Sequence, residues 1–418
     1  MRHFFLFIAL WGATVATSQT TITVSVKNTS SVARTDEPVV LPLEKYGFVA
    51  SALVTAGDKE IPCQLDDIDQ DEQMDELCFL ADLQPKEQKV YTVALFSEGE
   101  PRQYQARVYA EMVMGNKNVK EKNKQNNFIE SITARGDCAY SYNLQHHHGV
   151  DFESELNGIR IYFDQRQTLD LYGKFKKRLE LKDTQFYTSD EQKRQGYGDD
   201  VLWVGSTFGL GAFRGWDGQQ PTMVEPVRSR TQRVIAYGPL RTIVEVVDRG
   251  WKMPRPHNAA ADQPVNMTLR YTQYAGHRDT DVDVLFNRDV SDCRFSTGII
   301  NVKGSTEFSD KKGLRACWGT DYPATDTLKW KRETVGLAVL IPQRHIVSEE
   351  PANKDNYAFV VSPIKASTTT KAQCSMSYKV AYCSDNEEFG YHSAKDWFEW
   401  LKAWRKEVEA PLVVAIEP

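Results

Sequence analysis

The chain has 418 residues, of which 41% are hydrophobic and 26% are charged, with a formal net charge of −6 and a pI near 5.9. This acidic balance argues against a nucleic-acid-binding protein, for which a basic surface is expected. A single core stops growing at roughly 250–300 residues, so the length predicts two domains, and no internal stretch has the roughly 20 apolar residues of a membrane helix.

The first 18 residues have the layout of a cleavable secretory signal. Arg2 and His3 form a short polar start, the apolar run Phe4–Val15 follows, and small residues at 16–18 precede Gln19. This order predicts cleavage near residue 18 and a periplasmic or secreted protein with no membrane insertion. No cysteine stands near that position, so a lipoprotein anchor is not predicted.

Residues 19–100 are predicted to form a small accessory β-sandwich, because short strand-like runs alternate there with turns. The acidic stretch 66–76 is predicted to be a solvated loop, since it lacks the glycine and glutamate spacing of an EF-hand. Residues 101–127 are polar, and this predicts a linker or long loop at a domain boundary. The strand-like runs are Thr21–Val26, Pro38–Leu43 and Gln88–Phe96.

Seven cysteines are compatible with an oxidising compartment, although the odd number leaves at least one unpaired. Cys63 with Cys78, and Cys374 with Cys383, are near enough in sequence to close short loops. None has the CxxC spacing of a zinc or redox motif.

Residues 128–418 are predicted to form a large antiparallel β-supersandwich, which makes the whole chain mainly all-β. Strand-like runs recur between glycine, proline and aspartate clusters, without the intervening helices of a parallel fold. These runs are Arg233–Ala236, Arg241–Val247, Met267–Tyr274, Asp281–Phe286, Gly298–Val302, Val335–Ile341 and Ala358–Val361.

Two features punctuate this region. Scattered glycines between 196 and 218 match no phosphate-binding motif and predict a long loop at a cleft edge. A capping-box-like start predicts a helix over Ser393–Val408, whose tryptophans at helical spacing are expected to pack in the core. A closing strand is predicted at Pro411–Ile416. The predicted loop over 196–218 is expected to expose Asp199, Asp200, Trp203 and Trp216.

The segment 143–174 holds the densest set of chemically active side chains. Three consecutive histidines, His146, His147 and His148, precede a run with period two. Alternate residues of a strand share a face, so the polar members of this run are predicted to line one cleft. A solvated sheet face gives the same alternation, but arginine and tyrosine favour ligand binding. The predicted polar face consists of Arg160, Tyr162, Asp164 and Arg166 from one strand and Asp170, Tyr172 and Lys174 from the next.

Four motifs carry a resemblance that spans about residues 25–410: HHHGVDFESE, RIYFDQRQTLDLYGK, YGDDVLWVGSTFGLG and YGPLRTIVEVV. The chain resembles an exported family of formerly unknown function from bacterial polysaccharide-utilisation loci. The resemblance implies oligosaccharide dehydratases or lyases that act on uronates. It also implies a large domain similar to the galactose-mutarotase supersandwich.

Elimination from a uronate needs a base, a stabiliser of the enolate-like charge and an acid for the leaving oxygen. Candidate proton-transfer groups are His147 or His148 with Tyr162 or Tyr172, because imidazole titrates near neutrality. Arg166 is predicted to bind the carboxylate, since guanidinium forms bidentate contacts. The predicted substrate-binding residues are Arg160, Asp164, Lys174, Asp199, Trp203 and His146.

Three alternatives remain open. A glycoside hydrolase would pair carboxylates, either Asp164 with Asp170 or Glu153 with Asp199. No cofactor is predicted, but a metal ion at the His146, His148 and Glu153 region, with Glu155 nearby, is compatible with the residue types. A non-catalytic glycan-binding protein would stack sugars on aromatic side chains. Those side chains are Trp203, Trp216 and Tyr172.

Overall fold

The computed structural model describes residues 19–138, 143–253, 263–366 and 372–417. The predicted signal peptide therefore lies outside the described residues. Within those ranges no helix combines the length and apolar character needed to cross a bilayer.

The N-terminal strands form two sheets around one core. A five-stranded sheet in the order β30-β1-β7-β3-β4 faces a three-stranded sheet, β2-β6-β5, and both contribute to one buried apolar cluster. The strands are β1 (Gln19–Lys27), β2 (Arg34–Pro42), β3 (Ser51–Ala56), β4 (Lys59–Ile61), β5 (Cys63–Asp66), β6 (Glu76–Leu83), β7 (Gln88–Phe96) and β30 (Val413–Glu417).

A second five-stranded sheet, here called the site sheet, has the order β15-β14-β13-β12-β8. Its strand β8 (Val108–Glu111) lies inside the range 101–127 predicted as a linker, so that range is partly built into a sheet. Met112 and Val113 after that strand are buried, and the polar composition of the range hides this short apolar stretch. The strands are β8 (Val108–Glu111), β12 (Gly149–Ser154), β13 (Gly158–Tyr162), β14 (Leu169–Gly173) and β15 (Asp199–Asp200).

A ten-stranded antiparallel sheet forms the opposite layer, and its main path runs β11-β18-β19-β20-β21-β29-β25-β24-β23, with β28 on β29. The strands are β11 (Ser131–Arg135), β18 (Ser229–Tyr237), β19 (Arg241–Trp251), β20 (Val265–Tyr274), β21 (Asp279–Phe286), β23 (Thr306–Ser309), β24 (Leu314–Asp321), β25 (Glu333–Leu340), β28 (Ile364–Lys365) and β29 (Cys374–Ser384).

The remaining elements complete this body. A third five-stranded sheet, β17-β16-β22-β27-β26, and the pair β10-β9 flank the site sheet. They are β9 (Val113–Met114), β10 (Asn127–Phe128), β16 (Arg214–Trp216), β17 (Pro221–Thr222), β22 (Phe295–Ile300), β26 (Ile346–Glu349) and β27 (Asn356–Val361), with helices α1 (Leu181–Thr184), α2 (Asp190–Arg194) and α3 (Ala394–Glu409).

The main core lies between the ten-stranded sheet and the other two sheets of the body. It takes Phe152 and Ile161 from the site sheet, Phe295 from the third sheet, and Val244 and Leu269 from the ten-stranded sheet. Apolar residues alternate with polar ones along these strands, so each sheet buries one continuous apolar face. The predicted all-β, antiparallel fold class is confirmed.

Helix α3 covers the outer face of the ten-stranded sheet. It begins after Ser393, whose hydroxyl accepts a hydrogen bond from the Asp396 backbone N–H. Trp397, Leu401 and Trp404 are buried against the sheet. The predicted helix is confirmed, and its tryptophans form core packing rather than an open sugar-binding surface.

The two cysteine pairs that are close in sequence do not form disulfides. Cys374 and Cys383 lie at opposite ends of the single strand β29, and a strand rises about 3.3 Å per residue, which places them far apart. Cys63 and Cys78 lie on neighbouring strands but face Phe79 and Gln64 rather than each other. All four thiols are free.

His277, in the turn between β20 and β21, joins the N-terminal strands to the body. Its Nδ1 lies 3.1 Å from Asp279 Oδ1 and its Nε2 lies 2.9 Å from the Asp36 carbonyl oxygen. Both neighbours are acceptors, so only the doubly protonated imidazolium satisfies both. Although burial lowers the pKa, the hydrogen bond and charge of Asp279 raise it to about 9.

We expect His277 to make stability depend on pH. A histidine pKa raised from 6.5 to about 9 contributes stability that is complete below pH 6.5 and is lost as the pH rises through about 9. His277→Gln should therefore lower the melting temperature below pH 6.5 and have a shrinking effect toward pH 9. His392→Gln is the matched control, because His392 makes the same 3.1 Å contact with Asp385 but is 57% exposed. A constant His277→Gln effect across this range would contradict the prediction.

Candidate active site

The site sheet carries a row of charged residues on the face away from the main core. Glu111, Asp151, Arg160 and Asp170 are successive partners across β8, β12, β13 and β14. Strand residues alternate between faces, so the neighbours of this row point into the apolar core. The predicted pairing of the two central strands agrees with this register, and Arg160 lies directly opposite Asp170. Tyr162, at the end of β13, packs in the main core with Ile161, contrary to the predicted polar face, although its hydroxyl donates to Asp170.

Asp164 and Arg166 lie in a turn beyond the end of β13, not on the predicted strand face. The turn forms because Asp164 Oδ1 accepts the Arg166 backbone N–H at 2.8 Å, and aspartate favours such local bonds. Arg166 Nε also donates to Asp164 Oδ2 at 2.8 Å. The strand therefore stops at Tyr162, but the Arg166 guanidinium folds back to lie 4.7 Å from the centre of the Tyr162 ring.

Arg160 and Tyr162 share one carboxylate. Both donate hydrogen bonds to Asp170 Oδ2, the tyrosine at 2.6 Å, and Arg160 also lies 5.1 Å from the Tyr162 ring centre. Burial, followed by the charge of Asp170, raises the Tyr162 pKa well above its usual value. Two guanidinium groups therefore flank a protonated tyrosine, and each is paired with a carboxylate, Arg160 with Asp170 and Arg166 with Asp164.

Segment 175–198, here called the cover, closes much of this polar face. It contains Phe186, whose ring lies 4.0 Å from the Arg160 guanidinium carbon, and Tyr187, which is partly exposed. The Tyr187 ring makes an edge contact with His146, with the ring centres 5.2 Å apart. His146 and Tyr187 thus form a partly exposed pair.

The three histidines have different surroundings. Burial, followed by the charges of His147 and Lys122, lowers the pKa of His146 to about 3, so its imidazole is neutral at physiological pH. His148 is partly exposed and has a φ of +70°, which is uncommon for a histidine. His147 is fully buried. The three side chains therefore do not share one environment.

His147 points into the sheet face rather than toward solvent. Its Nε2 lies 3.5 Å from Glu111 Oε1 and 3.4 Å from Asp151 Oδ2. Burial, then Glu111 and Glu153, raises the Asp151 pKa well above its usual value. The metal set suggested by sequence, His146 and His148 with Glu153, is not assembled, because Glu153 is bound to Lys174 and to backbone N–H groups of the cover.

Tyr172 and Lys174 form hydrogen bonds with protein groups under the cover. The Tyr172 hydroxyl lies 3.1 Å from Glu180 Oε2 and 2.8 Å from the Gly198 carbonyl oxygen, and it donates into these acceptors inside the cover. Lys174 Nζ donates to Glu153 and to the carbonyls of Ser154 and Arg178. Both side chains are 0% exposed, so the substrate contacts predicted for them do not carry into the proposed function.

A cavity of about 320 Å³ opens on the far side of β15. Asp199 lines it and forms an ion pair with Lys193, while burial raises the pKa values of both Asp199 and Glu333. Trp330 lies beneath the Lys193 ammonium at 4.6 Å. Trp203 is 56% exposed outside this lining, whereas Trp216 is buried rather than displayed.

Several residues of the site-sheet face and of the cavity beside β15 were not singled out from sequence. Asp151 was detectable, since Val150–Ser154 alternates in the same way as the following strand. Glu111 was hidden in a segment of polar composition. Tyr187 and Glu333 lie in stretches whose approach to the sheet depends on tertiary packing, so no local pattern marks them.

Residues 26–414 match a family described as a domain of unknown function, DUF4861. The chain belongs to the DUF4861 family. Because the match spans nearly all described elements, this DUF4861 fold includes both the N-terminal sheets and the site sheet. Comparison with curated proteins gave no significant match.

Two solved structures resemble this DUF4861 chain at 11% identity and a TM-score of 0.49. One is a protein in the glycosyl hydrolase family 38 and the other an alpha-mannosidase, both from Enterococcus faecalis. Each match covers 95% of this chain but 47% and 46% of the other, so the chain spans about half the length of these structures. Similarity at this level carries no argument about activity.

Proposed function

We propose that the protein is an exported carbon–oxygen lyase that degrades uronic-acid-containing oligosaccharides by β-elimination, as a dehydratase or a polysaccharide lyase. Residues 19–100 would form an accessory domain. The observation that carries the proposal is the pair of guanidinium groups around Tyr162, beside the His146–Tyr187 contact. These are the types of group that elimination needs, and Arg166, His146 and Tyr187 are each partly exposed.

The reaction breaks one carbon–hydrogen bond and one carbon–oxygen bond of the sugar and forms one carbon–carbon double bond. A base takes the proton from the carbon next to the carboxylate, a carbon–carbon double bond forms, and the bond to the β oxygen breaks. An acid then protonates the leaving oxygen, which departs as water in a dehydratase or as a sugar hydroxyl in a lyase. Charge that develops on the carboxylate is stabilised by fixed cations.

Arg166 is assigned to the substrate carboxylate, because it is the more exposed of the two arginines, at 21% of its side chain. Arg160 is buried and adds positive charge behind it. His146 and Tyr187 are assigned to proton transfer, with the neutral imidazole as acceptor and the phenol as donor. They replace His147, which is buried among carboxylates, and Tyr172, which is buried in the cover.

Arg166→Gln is expected to lower kcat/KM about 10- to 100-fold on uronate oligosaccharides, because a hydrogen bond to a charged group contributes about 1.5–3 kcal/mol. Substrates whose carboxylates have been reduced to alcohols should show a much smaller change. Arg194→Gln, an arginine on the surface helix α2 with its side chain 69% exposed, is the control. An equal loss on charged and reduced substrates would remove Arg166 from carboxylate binding.

Hydrolysis is the second candidate, and the cavity with Asp199 and Glu333 is the observation that favours it. Two carboxyl groups with raised pKa values in one cavity meet part of the requirement for a glycosidase. The carboxylates Asp164, Asp170 and Glu153 are each bound to a cation, as Asp199 is to Lys193, whereas Glu333 accepts a hydrogen bond from the Asn386 amide.

One assay separates the candidates. The protein is incubated with uronate-containing oligosaccharides while ultraviolet absorbance and new reducing ends are followed. Elimination produces a conjugated unsaturated uronate, so the absorbance should rise. New reducing ends without that rise would replace the proposal with hydrolysis, and Glu333→Gln would then be the variant to test. Binding without either change would indicate a glycan-binding protein.

A further inference from the structure

Three electron-pair donors converge on the face of the site sheet that carries the charged row. They are His147 Nε2, Glu111 Oε1 and Asp151 Oδ2, and all lie within 4.8 Å of one another. The residues are 0%, 2% and 0% exposed, respectively. Water therefore does not solvate this cluster.

The tautomer of His147 is set by its other nitrogen. Nδ1 lies 2.9 Å from the Gly149 carbonyl oxygen, which is only an acceptor, so Nδ1 carries the hydrogen. Nε2 faces the two carboxylates, and it offers a lone pair to a cation only when it carries no hydrogen, so a bound metal ion would displace any proton there. Among the described residues, no donor forms a hydrogen bond with Nε2, Glu111 Oε1 or either oxygen of Asp151. Buried polar atoms without a partner are costly, so the cluster calls for a positive charge.

The spacing fits a metal ion better than a shared proton. The distances of 3.4 and 3.5 Å from Nε2 to the carboxylate oxygens exceed a normal hydrogen bond. Two ligands bound about 2.1 Å from one tetrahedral ion lie about 3.4 Å apart. The two distances from Nε2 therefore match those between ligands of a tetrahedral ion, and the third, between the carboxylate oxygens, lies within 4.8 Å.

We propose that Glu111, His147 and Asp151 bind a divalent metal ion of the zinc class. One imidazole nitrogen with two carboxylate oxygens is a donor set that zinc accepts, and three protein ligands leave a fourth position for another oxygen. The inference goes beyond the proposed elimination and does not depend on it. The ion would neutralise two buried carboxylates next to Arg160 in the cross-strand row.

The residues around the cluster orient it as outer-shell groups do in metal sites. Tyr109 donates its hydroxyl hydrogen to Glu111 Oε2 at 2.6 Å, which turns Oε1 toward His147. Gly149 holds the imidazole through Nδ1. The other acidic group, Asp67 with Asp69 and Asp71, differs because it lies on an exposed loop and Asp67 accepts backbone N–H groups there.

The test measures metal content and stability, not activity. Tag-free protein is stripped with a chelator, incubated with Zn²⁺ or Co²⁺, desalted and analysed for metal. We expect one equivalent per chain, a visible spectrum of tetrahedral Co²⁺, and a melting temperature that rises with Zn²⁺. Asp151→Asn and Glu111→Gln should lose the bound metal. His148→Asn is the control, because it alters the neighbouring histidine with a residue that tolerates its positive φ.

The outcomes are distinguishable even if a ligand variant folds poorly, because the wild-type titration decides the stoichiometry. Tyr109→Phe is a milder variant and should weaken Zn²⁺ about 10- to 100-fold without abolishing binding. Substoichiometric metal in the wild type would overturn the proposal. So would an Asp151→Asn protein that melts higher than the Zn²⁺-treated wild type, since relief of carboxylate repulsion would then dominate.

Discussion

Replacing Tyr187 with phenylalanine is expected to lower turnover on uronate oligosaccharides about 10²–10⁴-fold, the usual contribution of a general acid or base. The change removes one hydroxyl and keeps the ring that contacts His146, so the fold should be retained. Formation of the unsaturated product measures the effect, and the melting temperature checks the fold. The corresponding His146→Gln variant should fall in the same range.

Tyr197→Phe is the matched control, because Tyr197 lies in the same cover and its hydroxyl bonds to Asp183 at 2.9 Å instead. Residues that act as one unit are not additive, so the Tyr187 and His146 double variant should be little worse than either single variant. Normal turnover of Tyr187→Phe would remove it from the chemistry. Equal losses for Tyr187→Phe and Tyr197→Phe would indicate that both only support the cover.

Replacing Lys174 with methionine is expected to destabilise the protein by about 3–5 kcal/mol, because it leaves the buried Glu153 carboxylate without its cation. Glu153 also accepts the backbone N–H groups of Glu180 and Leu181, where the cover begins helix α1. Loss of the ammonium should therefore loosen the cover together with β12. Urea unfolding of wild type and variant measures the change.

Lys193→Met is the control, since Lys193 also pairs with a carboxylate, that of Asp199, but is 39% exposed, and exposed pairs contribute about 0–1 kcal/mol. A Glu153→Gln substitution added to Lys174→Met should recover part of the loss, because the amide removes the unpaired charge and its oxygen still accepts hydrogen bonds. Equal effects of Lys174→Met and Lys193→Met would contradict the buried ion pair.

Period-two alternation predicted much of the fold correctly, because each strand buries one face. The run Ile159, Ile161 and Leu171 marks the core side of the site sheet, and Gln88–Phe96 matches β7 from end to end. The tryptophans of α3 were placed in the core by their helical spacing. These features depend on residues that are close in sequence, so local patterns are sufficient.

Alternation could not distinguish a solvated polar face from a covered one. Lys174 and Glu153 form an ion pair under the cover, and the Tyr172 hydroxyl is hydrogen-bonded to groups of the cover, so these polar residues are stable without water. The same limit applies to the histidines. Which of the three faces the carboxylates depends on the turn at His148, where the backbone adopts a positive φ.

The pairing of β30 with β1 has a consequence for how the chain folds. Val413 lies opposite Lys27 and Glu417 opposite Thr23, although almost the whole chain separates them. Closing so large a loop is slow, and β1 keeps one unpaired edge until β30 arrives. During synthesis the N-terminal sheet thus lacks only β30, and strands of other molecules can pair with the open edge of β1. Aggregation during expression should therefore be most sensitive to changes in β30.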